Sequence, residues 1–406
     1  MINAWDNKTI IKKKLTVVNL KKELNKSGLP VLYDKNKLYI DNRTNNTLII
    51  GASGSGKTQT IILPELELIN MANENAIIHD TTDKIYTMTK DKFLNNGYRV
   101  VKMDFNNLKG IRYWNPFENI KKEDIWKVGY YLFNDIPEYK KDNILDGIVN
   151  YFVMLVLYSL ENENVSFKSI SYLHLKAKNG IYTFYEKVPK HIKKDIDLTN
   201  LFNLSDENKK IIFNIFDKRL RHLVNEELIR KLKINFSIET LKTKKTIVYL
   251  ISNEKNSLVS LFINQIYDDF KYNSFKKGIP NKIRMNIILD DFYLINPIYN
   301  FNNVLKNSKK YKIKFTIVVR RLNDLKNNYG IKEYKNLGFQ NTIYILADDY
   351  ETLMEICKTI TRDDKKSLIL HHELKALDSF EMVLLIDGIQ PFKTKLIPYY
   401  KIKNWK

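Results

Sequence analysis

The sequence predicts an α/β fold in which a mainly parallel, twisted sheet carries helices on both faces and an all-α domain is inserted. Two observations support this prediction. Short apolar runs typical of buried strands alternate with helical patterns on both sides of a long central region, and such alternation is typical of parallel sheets. Within that region, 121–234, apolar residues recur at helical spacing and no strand-like run interrupts them.

The first element of the fold is a glycine-rich loop between a predicted strand and a predicted helix. The run Gly51-Ala-Ser-Gly-Ser-Gly-Lys57-Thr58 fits the phosphate-loop pattern G-x-x-x-x-G-K-[ST]. The strand 46–50 before it and the apolar helix start after it favour a phosphate loop over a chance Gly/Ser turn. The predicted nucleotide-binding residues are Gly51, Ser53, Gly54, Ser55, Gly56, Lys57 and Thr58.

Each part of this loop has a predicted role in binding ATP and Mg²⁺. The glycines let the backbone turn so that its amides and the helix N-terminus point at a phosphate. Lys57 would reach the β- and γ-phosphates, and the Thr58 hydroxyl would hold Mg²⁺.

The later elements continue the sheet on both sides of the insertion. Predicted strands follow at 76–79, 99–103, 246–252, 285–289, 315–319, 342–346 and 382–386. The expected division of the chain is an N-terminal segment leading into the sheet at 1–40, the first part of a nucleotide-binding domain at 41–120, the all-α domain at 121–234 and the second part at 235–406.

A second motif ends the predicted strand 285–289. Asp290 and Asp291 follow this apolar run directly, as carboxylates do in the second motif of a phosphate site. Asp290 is predicted to hold the Mg²⁺ shell and Asp291 to polarise the attacking water. A hydrolytic site usually carries Glu at the second position, so Asp291 is one methylene shorter than expected. The alternative is that both residues begin a surface loop.

Composition restricts the partners and the compartment. The net charge of +21 suggests a polyanion, either nucleic acid or an anionic membrane face. The alternative is that the abundance of Lys, Asn, Ile and Tyr comes from an A+T-rich genome. The single cysteine, Cys357, excludes an internal disulfide and fits a reducing cytosol. The six histidines have no zinc-ligand spacing, which predicts no structural metal.

No targeting or spanning segment is expected. The N-terminal 20 residues are polar and Lys-rich, without the apolar run of a signal peptide. The most hydrophobic stretch, 148–160, falls short of the ~20 residues that span a bilayer and is interpreted as a core helix.

Taken in order, the motifs resemble the conjugative coupling proteins of type IV secretion systems, membrane-associated hexameric ATPases that pass DNA into a transfer channel. The matching segments are the phosphate loop with Pro64, Asp80, Arg112-Tyr-Trp-Asn-Pro-Phe117, the all-α insertion, Asp290-Asp291-Phe292, Leu322-Asn-Asp-Leu-Lys-Asn-Asn-Tyr-Gly330 and Gly388-Ile-Gln-Pro-Phe-Lys393. The resemblance runs from about Gly28 to Pro398 and implies a RecA-like P-loop NTPase fold.

Several positions depart from the family pattern. Asp80-Thr81-Thr82-Asp83 lacks the Pro, Lys and Gly that follow the family's Asp. Arg320 stands where the family has a Gln thought to sense the γ-phosphate, and Lys309 falls near a trans-acting Arg. Lys cannot reproduce the bidentate fork of Arg. The resemblance therefore implies Lys57, Asp291, Arg320 and Lys309 as catalytic residues, and either a divergent motor or a relative with weak turnover.

The resemblance also implies partners. These are DNA, bound as a single strand without sequence preference, a relaxase, type IV secretion channel components and further copies in a homo-hexamer. The implied location is the bacterial cytoplasm, with peripheral contact at the inner face of the membrane. Two alternatives stay open: a nucleotide-binding adaptor with weak or no hydrolysis, and another ring-forming DNA pump, which would share the fold but lack the all-α insertion.

A basic segment offers a DNA contact. Residues 301–340 carry ten Lys and Arg against Asp324 and Glu333, and basic loops of this kind can line the pore of a ring ATPase. The alternative is a solvated helix face. The ten residues are Lys306, Lys309, Lys310, Lys312, Lys314, Arg320, Arg321, Lys326, Lys332 and Lys335.

Overall fold

A computed structural model describes most of the chain. It describes residues 8–20, 22–106, 114–118, 120–133, 144–162, 165–221, 236–276, 281–330, 336–346, 349–360 and 371–402. The end of the predicted all-α domain from 222 to 234, the first two residues of the matching segment 112–117 and the basic residues Lys332 and Lys335 lie outside the described residues.

The central element is a nine-stranded sheet in the order β12-β11-β10-β4-β9-β8-β5-β7-β6. The strands of the structure, numbered along the chain, are β1 Thr16–Val18, β2 Leu29–Asp34, β3 Lys37–Asp41, β4 Thr47–Gly51, β5 Asn75–Asp80, β6 Arg99–Asp104, β7 Thr246–Ile251, β8 Met285–Leu289, β9 Ile313–Val319, β10 Asn341–Leu346, β11 Glu381–Ile386 and β12 Phe392–Lys395. From β10 to β6 all neighbours pair in parallel, whereas β11 and β12 are antiparallel.

Helices lie between the strands and fill the central region. The α-helices are Lys8–Lys13, Leu63–Met71, Lys84–Asn95, Ile125–Phe133, Ile144–Asn162, Phe167–Lys178, Ile181–Lys187, Lys190–Asp195, Thr199–Phe202, Asp206–Arg221, Thr240–Thr243, Ser257–Lys276, Phe301–Ser308, Leu322–Tyr329, Tyr350–Thr359 and His371–Lys375. Between β6 and β7 the part of the chain that the structure describes is helical and contains no strand. The boundaries predicted at 40, 120 and 234 stay a prediction.

The sheet is buried on both faces. Successive residues of its strands enter different hydrophobic clusters: Ile50 and Ile77 belong to one, Ile49 and Ile78 to the other. The first cluster continues without a break into the helical insertion. A parallel sheet with both faces covered gives near-continuous apolar strands, which explains why the strands were recognisable in the sequence. The predicted mainly parallel fold is confirmed.

The helix Ile144–Asn162 is the core of the insertion. It is the one described helix long and apolar enough to cross a membrane by length and composition. Most of its residues are buried, including Tyr151 and Phe152, and these two aromatic rings pack against Phe216. Its apolar surface is therefore taken up by protein contacts.

One element was not predicted. Residues before the central sheet form a separate three-stranded antiparallel sheet in the order β1-β3-β2. The segment at 1–40 was expected only to lead into the main sheet.

Candidate nucleotide-binding site

The phosphate loop leaves the end of β4, an interior strand between β10 and β9. Gly54 and Gly56 have φ angles of +78° and +93°, a backbone region that glycine adopts without steric cost. The parallel neighbours β8, β5 and β9 end at the same edge of the sheet. Residues that follow these strands therefore meet the loop, as expected at the carboxyl edge of a parallel sheet.

Lys57 is folded back into its own loop. Its Nζ donates to the carbonyl oxygens of Gly51 and Ala52 at 2.6 and 2.7 Å, and only 8% of the residue is exposed. Burial lowers the pKa of Lys57, while the charges of Asp290 and Asp291 act in the opposite direction. The ammonium is thus held at the loop by weak neutral acceptors, and an anion would compete for it.

The helix after the loop begins with an unusual turn. Residues Thr58–Ile62 are wound as a π-helix, with the Leu63 N–H donating to the Thr58 carbonyl. Pro64 has no N–H and cannot close the ordinary α-helical bond at its own position, which accounts for a wider turn just before it. π-turns inside helices are frequent at functional sites.

A buried ion pair ties this helix to the sheet. Glu65 accepts hydrogen bonds from Lys314 Nζ at 2.5 Å and from Thr316 Oγ1 at 3.1 Å. Both charged side chains are almost fully buried, and Lys314 and Thr316 lie on β9, next to β4. The orientation of the phosphate-loop helix is therefore fixed relative to β9, the strand that Arg320 follows.

Asp290 follows β8 at the edge where the phosphate loop lies. Burial, followed by the charge of Asp291, raises the pKa of Asp290 to about 6, and the Lys57 ammonium opposes this shift. Its Oδ1 accepts the backbone N–H of Asp291 at 3.0 Å. The carboxylate and the lysine are therefore close enough to act on each other, as the predicted metal and phosphate roles require.

Asp291 is engaged by two side chains. Arg320 Nε donates to its Oδ1 at 3.1 Å, and Thr81 Oγ1 donates to its Oδ2 at 3.3 Å. Asp291 has a left-handed φ of +46°, which short polar residues tolerate better than bulky ones. The guanidinium of Arg320 also lies over the ring of Tyr293, 4.6 Å from its centroid. Two of the residues that depart from the family pattern, Asp291 and Arg320, are therefore in direct contact.

The motif Asp290-Asp291-Phe292 is held in position by the stacking of its phenylalanine on Tyr329. The Phe292 ring lies parallel to that of Tyr329, with centroids 6.1 Å apart, and Tyr329 accepts the Ile298 N–H at 2.9 Å. Tyr329 ends the helix Leu322–Tyr329, the segment that resembles a second family motif. Two motifs far apart in sequence therefore support each other beside the site.

His79 is a site residue that the sequence interpretation missed. Its Nδ1 donates to the Asp290 carbonyl at 2.6 Å, the residue is fully buried, and burial lowers its pKa, so the ring is neutral at pH 7. The next residue, Asp80, accepts the N–H groups of Thr82 and Tyr86 and shapes the loop that carries Thr81. The only signal in the sequence was a histidine at the end of an apolar strand.

The basic segment 301–340 does not form one surface. Lys309, Lys310 and Lys312 precede β9 and lie at the opposite edge of the sheet from the phosphate loop. β9 has seven residues, which span about 20 Å, and Arg320 follows its far end. Lys314 is buried in the ion pair with Glu65.

Lys309 instead lies near a mixed group of charges at the other edge. Burial, followed by the positive charge of Arg284, lowers the pKa of Lys26; Lys309 adds to this shift, and the carboxylates of Glu74 and Asp41 oppose it. Within one subunit Lys309 is therefore separate from the nucleotide site, and its action on a neighbouring subunit stays a prediction.

The residues fit ATP and Mg²⁺. The loop amides, the Lys57 ammonium and the Thr58 hydroxyl stand at one edge with the Asp290 carboxylate. Mg²⁺ is usually held in such sites by one or two protein oxygens together with phosphate oxygens. Among the described residues no group of three or more His, Cys, Asp or Glu side chains could hold a metal by itself, so a bound nucleotide would have to complete the metal shell.

Comparison with known proteins agrees with this geometry. The family model "Type IV secretory system Conjugative DNA transfer" matches residues 2–362. The unbound plasmid coupling protein TrwB is similar in structure, with a TM-score of 0.72 and 13% identity over 95% of this chain and 91% of that chain. TrwB with a non-hydrolysable ATP analogue gives 0.70 and 13% over 87% and 86%.

VirB4 of Thermoanaerobacter pseudethanolicus gives a TM-score of 0.58 and 12% identity over 91% of this chain and 96% of that chain. The comparison with curated protein sequences gives no match. At these identities the solved structures establish the fold, and the family follows from the family model, which covers most of the chain. The chain belongs to the type IV secretory system family of conjugative DNA transfer proteins.

Proposed function

We propose that this protein is an ATP-driven coupling protein that delivers a relaxase-bound DNA strand to a type IV secretion channel. The observation that carries the proposal is the convergence of the phosphate loop, Asp290 and Asp291 at one edge of a parallel sheet, in a member of a conjugative DNA transfer family. We propose further that it works as a homo-hexamer in the bacterial cytoplasm, at the inner face of the membrane.

The similar structures support the nucleotide and the cargo. TrwB is described as a plasmid coupling protein and has been solved with a non-hydrolysable ATP analogue and with ADP and Mg²⁺. The net charge of +21 favours a polyanionic cargo, because Lys and Arg bind phosphates without reading bases. A single strand threaded through a ring would be held in this way.

The chain's own residues suggest how ATP is handled. Lys57 would exchange its two carbonyl acceptors for phosphate oxygens, a stronger charge-assisted contact. Thr58 and Asp290 would hold Mg²⁺, which supplies positive charge to the β- and γ-phosphate oxygens. Asp291 would polarise the attacking water and accept its proton once the carboxylate is free of Arg320. Arg320 would add a positive charge near the γ-phosphate and so tighten ATP binding in the ground state, without lowering the barrier to hydrolysis.

A second candidate function is a nucleotide-binding adaptor with weak or no hydrolysis. One observation favours it: the carboxylate expected to act as base is already engaged by Arg320 and Thr81. Another ring-forming DNA pump is less well supported, because the helical region between β6 and β7 is the insertion that such pumps are expected to lack.

Nucleotide binding is the first test. Fluorescent ATP is titrated against the full chain with Mg²⁺, and Lys57→Ala should weaken binding by roughly 10- to 150-fold, since it removes a charge-assisted contact of about 1.5–3 kcal/mol. Lys102→Ala is the matched control, because Lys102 pairs with Asp83 on the surface. Equal affinity in the wild type and Lys57→Ala would contradict the assignment of the site.

DNA binding is the second test. Affinity for single strands of different sequence should be similar and should fall with salt, with a log–log slope of about −0.7 per phosphate. Charge reversal at Lys309, Lys310 and Lys312 should flatten the slope. The same change at three exposed lysines of the helical region should not. Those control residues are Lys187, Lys190 and Lys194. An unchanged slope in the first variant would mean that Lys309, Lys310 and Lys312 form a solvated surface that does not contact DNA.

A further inference from the structure

A phenylalanine lies on the phosphate loop. A Cβ atom added at Gly56 would stand 2.8 Å from Cδ1 and Cε1 of Phe380, so the Phe380 ring is in contact with the backbone of the loop. Two features therefore require glycine at position 56: the backbone φ is positive, and the Phe380 ring leaves no space for a side chain. Phe380 is only partly buried, so part of its ring surface faces outward.

The topology places this ring on one particular side of the loop. Phe380 directly precedes β11, which pairs antiparallel with β10, and β10 pairs in parallel with β4. The start of β11 therefore lies at the edge of the sheet that carries the phosphate loop. It lies on the opposite side of β4 from β9 and β8, which carry Arg320 and Asp290 at their ends.

Phe380 lies on one side of the phosphate loop, and Asp290 and Arg320 lie on the other, so the two ends of a bound nucleotide would face different residues. If the terminal phosphate faces Asp290 and Arg320, the nucleoside end must leave the loop on the other side of β4. That is the side on which Phe380 lies. Because the Phe380 ring touches Gly56, it lies within reach of a nucleoside that leaves the loop on this side.

Core packing does not explain the position of Phe380. Among the described residues it belongs to none of the three hydrophobic clusters and stacks on no other aromatic ring. Its backbone has a φ of +67°, a conformation that is rare for a bulky residue. A tight turn holds it, with the Glu381 N–H donating to the Asp378 carbonyl and the Leu396 N–H donating to that of Phe380.

We propose that Phe380 is the platform on which the base of the bound nucleotide stacks, an inference that rests on the proposed nucleotide site. A ring that offers only its π-surface reads the size of the base and not its hydrogen-bonding groups. ATP and GTP should therefore bind with similar affinity, and UTP, whose base is smaller, should bind more weakly.

The test compares ATP with inorganic tripolyphosphate, which has no base. Phe380→Leu should weaken ATP binding by roughly 5- to 150-fold, the range of base–aromatic stacking, and leave tripolyphosphate binding unchanged. Phe380→Trp, which keeps an aromatic ring at this position, should bind ATP with the wild-type affinity. Phe339→Leu is the matched control, because Phe339 is a partly buried ring just before β10, at the opposite edge of the sheet.

A glycine variant checks the fold. Phe380→Gly should keep the melting temperature, because glycine adopts the positive φ readily, and should still lose ATP affinity. Equal loss of ATP and tripolyphosphate in Phe380→Leu would mean that the ring only supports the loop and would overturn the proposal. Unchanged ATP affinity would also overturn it. If the wild type bound neither ligand, the proposed nucleotide site would fail as well.

Discussion

The contact between Arg320 and Asp291 leads to a prediction about turnover. Arg320→Gln should raise the rate of ATP hydrolysis, because Asp291 must leave its positive partner before it can accept a proton. The side chain of Arg320 is 44% exposed, so water screens the pair. An exposed pair contributes about 0.2–1 kcal/mol, which corresponds to a gain of roughly 1.4- to 5-fold in rate.

The assay is steady-state phosphate release at saturating ATP with a single-stranded oligonucleotide present. Arg321→Gln is the matched control, since Arg321 is the neighbouring exposed arginine and pairs with Asp324 in its own helix. That variant should keep the wild-type rate. Asp291→Asn should be inactive in either background, because the amide cannot accept the proton.

A double-mutant cycle extends the prediction. Asp291→Glu should also raise turnover, because a shortfall of ~1 Å in a catalytic group can cost on the order of 10²-fold. Since Arg320 and Asp291 touch at 3.1 Å, the two gains are not independent. A glutamate at position 291 is one methylene longer and can extend beyond Arg320. Arg320→Gln should therefore raise the rate of hydrolysis less in the Asp291→Glu background than in the wild type.

Two results would refute this reasoning. If Arg320→Gln slowed hydrolysis ten-fold or more at unchanged ATP affinity, Arg320 would be a stabiliser of transition-state charge, a role that can be worth about 10²–10³-fold. If the wild type were fast and Asp291→Glu slowed it, the site would have been rebuilt around the shorter carboxylate.

Three further predictions follow from buried groups. Asp290→Ala should abolish hydrolysis measured by phosphate release, because it removes the carboxylate expected to hold Mg²⁺. Glu65→Gln should lower the free energy of unfolding in urea by about 3–5 kcal/mol, since it removes the counter-ion of the buried Lys314 ammonium; a loss under 1 kcal/mol would contradict this. Burial lowers the pKa of His174, with Asp217 opposing, so the folded state binds its proton less readily than the unfolded state does. Stability should therefore fall as the pH drops below about 6.5, and His174→Gln should flatten that dependence.

The placement of the phosphate loop at one edge of the sheet with Asp290 and Asp291 was predictable because its signals are local. The glycines of the phosphate loop and the carboxylates at Asp290 and Asp291 each follow an apolar run that was predicted to be a buried strand and is one in the structure. Once the strands are parallel, their carboxyl ends share one edge of the sheet, and the two motifs must meet. The meeting of Lys57 with Asp290 is a consequence of topology and needs no knowledge of side-chain geometry.

The other contacts of the site were not predictable, because they depend on features that a single sequence does not encode locally. The hydrogen bond of His79 to the Asp290 carbonyl depends on the register between β5 and β8. The contact of Phe380 with Gly56 depends on a positive φ at a residue that rarely adopts one. The charge of 301–340 suggested one basic surface, but β9 runs through the segment and separates its ends.

The contact between Asp291 and Arg320 also changes the interpretation of these two departures from the family pattern. The Nε of an arginine is as many bonds from Cα as the amide nitrogen of a glutamine, and Nε is the atom of Arg320 that donates to Asp291. Arg320 therefore keeps the hydrogen bond that a glutamine could make and adds a charged group beyond it, over Tyr293. Arg320→Gln removes the charge and can keep the bond, whereas Arg320→Met removes both. If turnover rises equally in the two variants, the charge restrains Asp291; if only Arg320→Met changes it, the hydrogen bond does.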